Sequence, residues 1–138
     1  MRVIAVVLTA VLLGLAAIHV YWTLRGVGTS ASIPTRPDGT PVIRPGRAAT
    51  FAVAIALSLA ALLIAARAGL IHRLLPPRLI ALGAWGVAAA FALRAVGDFR
   101  YAGLFKHIRD TPFARWDTGL FTPLCVLIAI GAAVVAMA

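Results

Sequence analysis

The chain has 138 residues, 62% of them hydrophobic and 12% charged, with a mean hydropathy of +1.00 and a net charge of +9. Soluble domains are roughly half apolar and a quarter charged, so this balance excludes a water-soluble fold, and the length suits one domain. It argues against nucleic acid too, because the arginines flank apolar runs as they do in membrane proteins, where anionic lipid is their natural partner.

The first apolar run is 3–24. It would reach about 33 Å as a helix, enough for a bilayer core of about 30 Å. Arg2 and a passable cleavage site at Gly14-Leu15-Ala16 raise a signal peptide. The length of the run favours a retained span. Residues 25–47 follow as a polar loop, where four prolines, four glycines and four arginines forbid a continuous helix. A loop so long is either functional or flexible.

The second span is read at 48–66 and the third at 78–96, separated by a short basic turn that holds His72 and ends at Pro76-Pro77. A second polar loop covers 97–116. The fourth span is read at 117–138. Thr122-Pro123 looks like an N-cap followed by proline at the first helical position, but a helix starting there is short for a crossing. A start near Asp117, itself a good N-cap at the positive helix end, is preferred. Four spans with short connections predict an all-α integral membrane four-helix up-down bundle. Small residues recur at fourth positions: Ala10 and Gly14; Ala52, Ala56 and Ala60; Ala84, Ala88 and Ala92; Ala129 and Ala133. Such spacing predicts close helix seams. The single cysteine, Cys125, falls in an apolar run and reads as a small buried hydrophobe.

In an up-down bundle the first and third spans end on the side where the fourth begins. His19 and Trp22 lie near the end of the first span, one turn apart. Arg94 lies just inside the end of the third. Gly97 reads as its cap, and Asp98 follows outside, free to meet Arg94, Arg100 or a first-loop arginine. Arg100, Lys106, His107, Arg109, Asp110, Arg115, Trp116 and Asp117 fill the second polar stretch. Charge therefore gathers at one end of the bundle. An arginine near a span end either snorkels or finds a partner. A lone histidine such as His19 more often bonds a neighbouring helix than binds a ligand. Tyr21, Trp22, Tyr101 and Trp116 also suit an interfacial aromatic belt.

Three stretches carry a resemblance. His19-Val20-Tyr21-Trp22, "LRAVGDFRYAGLFK" (93–106) and "FARWDTGLFTPLC" (113–125) resemble the domain-of-unknown-function 3995 family of small bacterial four-span membrane proteins. The similarity covers nearly the whole chain, although the glycine pair expected after the tryptophan is interrupted as Gly26-Val27-Gly28. It implies a shared site of His19, Trp22, Arg94, Gly97, Asp98, Arg100, Lys106, Trp116 and Asp117, and implies no activity.

The leading functional expectation is a multi-pass protein that binds an anionic amphiphile or small ligand in a polar pocket of His19, Trp22, Arg94, Asp98, Arg100, Lys106, Trp116 and Asp117. One alternative is an accessory or assembly subunit docking a membrane-protein partner, or another copy of itself, through 97–117. A second is a small transporter, weakened by the lack of glutamate and of an aspartate within the apolar spans. Catalysis is disfavoured: His19, Asp98 and Asp117 are the only acid–base candidates, and no nucleophile–base pair, metal cluster or phosphate loop is visible. No cofactor or metal is expected; haem ligation by His19 and His107 has no attachment motif behind it. Lys and Arg number eight in the two polar loops and four on the opposite side. That count puts the polar loops in the cytoplasm and both termini outside the cell membrane.

Overall fold

The computed structural model describes residues 1–28 and 31–138 and is all helical, with no strand among the described residues. Helices α1 (Arg2–Arg25), α2 (Arg47–Arg67), α3 (Pro77–Val96) and α4 (Pro112–Met137) are each long and apolar enough to cross a membrane. The chain is a multi-pass membrane protein built as an up-down four-helix bundle. Two tight helix pairs, α1 with α2 and α3 with α4, are joined by α2 against α3 and by α4 against α1 and α2. Leu12, Ile64, Ile128 and Val135 form the buried centre, fitted by Ala5, Ala61, Ala84 and Ala132. Large apolar side chains such as Val3, Leu82, Leu93 and Leu127 point outward, as hydrocarbon permits.

Small residues do make the seams, but not always those the spacing suggested. Ala84 and Ala88 are buried on α3, and Ala60 is buried on α2. Ala10, Gly14, Ala52, Ala56 and Ala92 face outward instead. On α1 the packed row is Ala5, Leu8, Leu12 and Ala16. An alanine-rich helix has several rows of small residues, and only the partner's shape selects one. Gly83 meets Leu63 so closely that a Cβ there would stand 2.9 Å from its methyl carbons.

Helix α4 begins at Pro112, not near Asp117. Thr111 is its N-cap, its side-chain oxygen accepting from the Ala114 N–H at 3.1 Å. Thr-Pro at 111–112 thus starts the helix ahead of both Asp117, the preferred start, and the later Thr-Pro pair at 122–123, and the polar loop shortens to 97–111. The helix is α-helical over Pro112–Trp116, widens to a π-turn over Asp117–Phe121, and is α-helical again over Thr122–Met137. Pro123 accounts for the widening. It has no N–H for the carbonyl one turn back and its ring crowds that carbonyl, so the ladder shifts to a Thr122 N–H to Asp117 carbonyl bond just before it. At the far end, Arg67 Nη2 donates to the Ala136 carbonyl at 3.1 Å, placing a cation on the negative end of α4.

The first polar loop folds over the end of the bundle. Its tip is a tight turn: the Arg36 N–H donates to the Thr40 carbonyl at 2.8 Å, and Asp38 Oδ1 accepts from the Thr40 N–H and hydroxyl. Those Thr40 bonds hold the exposed Asp38 carboxyl below its ordinary range. The second loop is pinned by glycines. Gly97 ends α3 with φ of 85° and Gly103 has φ of 90°. A Cβ on Gly97 would fall 1.9 Å from the Ala102 carbonyl oxygen, and one on Gly103 would fall 2.4 Å from the Val96 carbonyl oxygen. Both obstacles are backbone and cannot swing away.

Gly103→Ala therefore combines a disfavoured backbone conformation, costing of order 1–3 kcal/mol, with a backbone collision. We expect a clear fall in the thermal midpoint of the detergent-solubilised protein, whereas Gly14→Ala, which meets nothing within 4 Å inside α1, does not lower it. Equal midpoints for both variants would contradict this packing.

Candidate functional site

Asp117 is fully buried and is the hub of the polar cluster. Its Oδ1 accepts from Arg94 Nη2 at 2.7 Å, and its Oδ2 from Lys106 Nζ at 2.9 Å. Oδ2 also takes the Gly103 N–H at 2.8 Å and the Thr122 hydroxyl at 3.0 Å. Lys106 Nζ donates in addition to the Gly103 carbonyl at 3.1 Å. One carboxylate thus ties the end of α3, the second loop and α4 together, through short charge-assisted bonds. The widened turn brings Asp117 and Thr122 onto the same inward face. Two cations meet one anion, so the cluster carries one surplus positive charge.

Arg94 presents only part of its guanidinium to Asp117. Its Nη1 is buried and has no hydrogen-bond partner, while the side chain as a whole is 38% exposed. It forms part of the wall of a cleft of about 840 Å³ between the two helix pairs. That volume is in the range of small-molecule sites. Leu15, Ile18, Leu57, Phe91, Leu124 and Ile128 make its apolar walls, and Cys125 contributes a thiol. His19, Trp22 and Trp116 stand around the polar end, with Ala31 and Ser32 of the first loop beside them. A smaller cavity of about 170 Å³ shares His19, Trp22, Ser32 and Val53 and continues under that loop.

His19 bonds its own helix, not a neighbour: Nδ1 lies 2.8 Å from the Leu15 carbonyl, which can only accept. Nδ1 therefore donates this bond, and Nε2 is the ring nitrogen it leaves uncommitted. The ring also meets Trp22 edge-on, with centroids 5.0 Å apart. In-helix bonding of this kind is invisible to residue spacing, since any histidine has a carbonyl one turn back.

The expected site residues divide into three groups. His19, Trp22, Arg94 and Trp116 line one cleft. Lys106 and Asp117 stand behind Arg94 and fix it. Asp98 and Arg100 belong to neither: Asp98 Oδ1 accepts from the Arg100, Tyr101 and Ala102 N–H groups at 3.0, 2.7 and 2.9 Å. Slight burial raises the Asp98 pKa, but those amides from Ala102, Tyr101 and Arg100 outweigh it and hold the carboxyl below its ordinary range. Asp98 is thus a turn-former, and the expected meeting with Arg94 or Arg100 side chains does not occur. The Arg100 guanidinium instead lies 5.3 Å over the Tyr101 ring. Two further expectations are corrected. Thr122 is an Asp117 donor within α4 and not a cap, and an aspartate does lie inside a membrane-length helix. His107 Nδ1 is engaged by the Phe99 carbonyl. Among the described residues no group of three or more His, Cys, Asp or Glu side chains forms a metal-holding cluster.

A family model described as "Protein of unknown function (DUF3995)" matches residues 12–132, which include α2, α3 and every residue of the cluster and cleft. No curated protein and no solved structure matches the chain.

Removing one member of a buried ion cluster leaves the others uncompensated, at a cost of about 3–5 kcal/mol. Asp117→Asn should show that full loss, because Lys106, only 3% exposed, then has no counter-charge. Lys106→Met should cost less, since Arg94 still serves the carboxylate. Arg94→Gln should cost least, its exposure already screening the pair. Unfolding midpoints in detergent would reveal the order, and Asp117→Asn/Lys106→Met should recover part of the Asp117→Asn loss. No recovery in the double variant would contradict the pairing.

Proposed function

We propose that this chain, which belongs to the DUF3995 family of proteins of unknown function, binds an anionic amphiphile in the cleft between its helix pairs. The observation that carries the reading is Arg94, which lines a mostly apolar cleft and has a buried Nη1 without a hydrogen-bond partner. A guanidinium with one nitrogen committed to Asp117 and the other lacking an acceptor is half of a bidentate anion site. An unsatisfied buried donor costs about 1–3 kcal/mol, and an acidic headgroup would relieve it.

The chemistry divides along the cleft. Arg94 takes the carboxylate or phosphate oxygen, and the surplus positive charge of the Arg94–Lys106–Asp117 cluster favours an anion over a neutral head. His19 Nε2 is the ring nitrogen left to bond a polar atom of the head. Trp22 and Trp116 flank the polar end as interfacial aromatics do. Leu15, Leu57, Phe91, Leu124 and Ile128 take the tail. Asp98 and Arg100 drop out of the ligand set. Asp117 is a scaffold whose clamping by two cations gives no support to proton-coupled transport, and the groups present give none to catalysis. We place the protein in the cell membrane with the polar loops toward the cytoplasm and both termini outside, on the lysine and arginine count.

The test is gentle-detergent purification followed by mass spectrometry of what accompanies the protein. We expect a stoichiometric anionic amphiphile with the native chain. Arg94→Gln should weaken its retention by about tenfold or more, as loss of a buried charge contact does. Leu57→Trp, which fills the apolar arm and leaves the Asp117 cluster intact, should also empty the cleft. An amphiphile held equally by all three proteins, or none held by the native one, would overturn the reading. A stoichiometric protein in its place would favour an accessory subunit.

A further inference from the structure

We propose that the tip of the second polar loop, residues 98–105, is a preformed surface that seats in the headgroup layer of an anionic membrane leaflet. Phe99, Leu104 and Phe105 are 57%, 54% and 56% exposed, although each is a large apolar side chain in a polar loop. They form one patch: the Phe99 and Phe105 rings stack with centroids 6.1 Å apart and an interplanar angle of 24°. Phe99 has φ of 62°, a left-handed conformation that a bulky residue rarely adopts. It is held there on both sides, by the contact of its carbonyl with His107 and by the three amides on Asp98 that close the turn around it. The backbone conformation that turns the ring outward is thus imposed by bonds within the loop.

The loop is built rigidly enough to serve as such a surface. Gly97 and Gly103 pack backbone to backbone, the Gly103 N–H is anchored on Asp117, and the Leu104 N–H donates to the Ala95 carbonyl at 2.8 Å. The patch therefore rides directly on the end of α3. No energy of ordering remains to be supplied when lipid covers it.

Charge selects the lipid. The Ile108 N–H donates to the Arg100 carbonyl at 3.0 Å, which folds the segment carrying Arg109 back against Arg100. Both are exposed, as is Arg115. The first loop adds exposed Arg25, Arg36, Arg44 and Arg47 on the same end of the bundle. Three exposed aspartates oppose them, and two of these, Asp38 and Asp98, spend an oxygen on their own turns. Apolar rings rimmed by arginine at a membrane boundary match a leaflet of anionic lipid, since each basic residue near such a surface gains from its negative potential. A water-facing loop would gain nothing from exposing two phenylalanines and a leucine.

The test measures depth, not binding, because the helices already hold the protein in the bilayer. Spin labels are placed at Phe105→Cys and, separately, Leu104→Cys, in a Cys125→Ala background, with Leu82→Cys as the lipid-facing reference and Pro37→Cys as the aqueous one. The protein is reconstituted in nanodiscs of equal parts phosphatidylcholine and phosphatidylglycerol, and in nanodiscs of phosphatidylcholine alone. We expect the labels at 104 and 105 to be reached by oxygen in preference to an aqueous nickel chelate, as at 82, and to sit deeper in the anionic discs. Labels as open to the chelate as at 37 would overturn the proposal. So would equal depth in the two compositions, or protection that disappears when the protein is diluted to one copy per disc, which would mean that a second copy covers the patch.

Discussion

The carboxylate of Asp117 is the interaction on which the rest of this structure depends. It sits at zero exposure inside a membrane-length helix, where a lone charge would be very costly. The cost is met by two cations, a backbone amide and a hydroxyl gathered from three separate segments. Without it Arg94 and the Gly103 amide lose their acceptor, and Lys106 keeps only the Gly103 carbonyl. Arg94 would otherwise have to snorkel, Lys106 would not stay buried, and the Gly103 amide would lack an acceptor. One side chain thus ties the second loop back onto α3 and α4, while Gly97 ends α3 and Pro123 widens α4.

Everything at the polar end follows from that constraint. Because Lys106 and Gly103 are drawn inward to Asp117, the residues between them and Asp98 are pushed outward. The loop then shows phenylalanines to its surroundings and cations around them. Because Asp117 holds Arg94 through one nitrogen, the guanidinium is fixed beside the cleft. Rigidity in the cluster is what makes the cleft a shaped site and the loop a shaped surface. Amphiphile binding and lipid seating are separate readings, but both rest on the same anchored backbone.

The apolar half of the molecule works on different rules. Hydrocarbon does not drive helices together, so contact depends on fit. Alanine rows let α1 approach α2 and α3 approach α4, while the two pairs diverge enough at one end to leave the cleft. Gly83 against Leu63 and Gly131 against Leu8 show how closely the surfaces mesh where they do touch. The site is where that meshing stops.

Much of this was legible in the residues themselves. Length and apolarity of the runs determine four crossings, since a bilayer asks only for enough consecutive oily residues to cover its core. Chain order then brings the ends of α1 and α3 and the start of α4 to one face, so His19, Trp22, Arg94 and Trp116 could be grouped without coordinates. Three-dimensional packing alone decided the pairings. Asp98, four residues from Arg94, was the nearer acid by spacing, yet Asp117, 23 residues away, takes the guanidinium. Local spacing knows nothing of a loop that folds back. The helix start moved from near Asp117 to Pro112 because Thr111, one of the two threonines in that stretch that precede a proline, supplies the cap. Sequence determines what must lie in lipid and what must not; which charge meets which, and which alanine row is the seam, is settled by the distant groups that folding brings into contact.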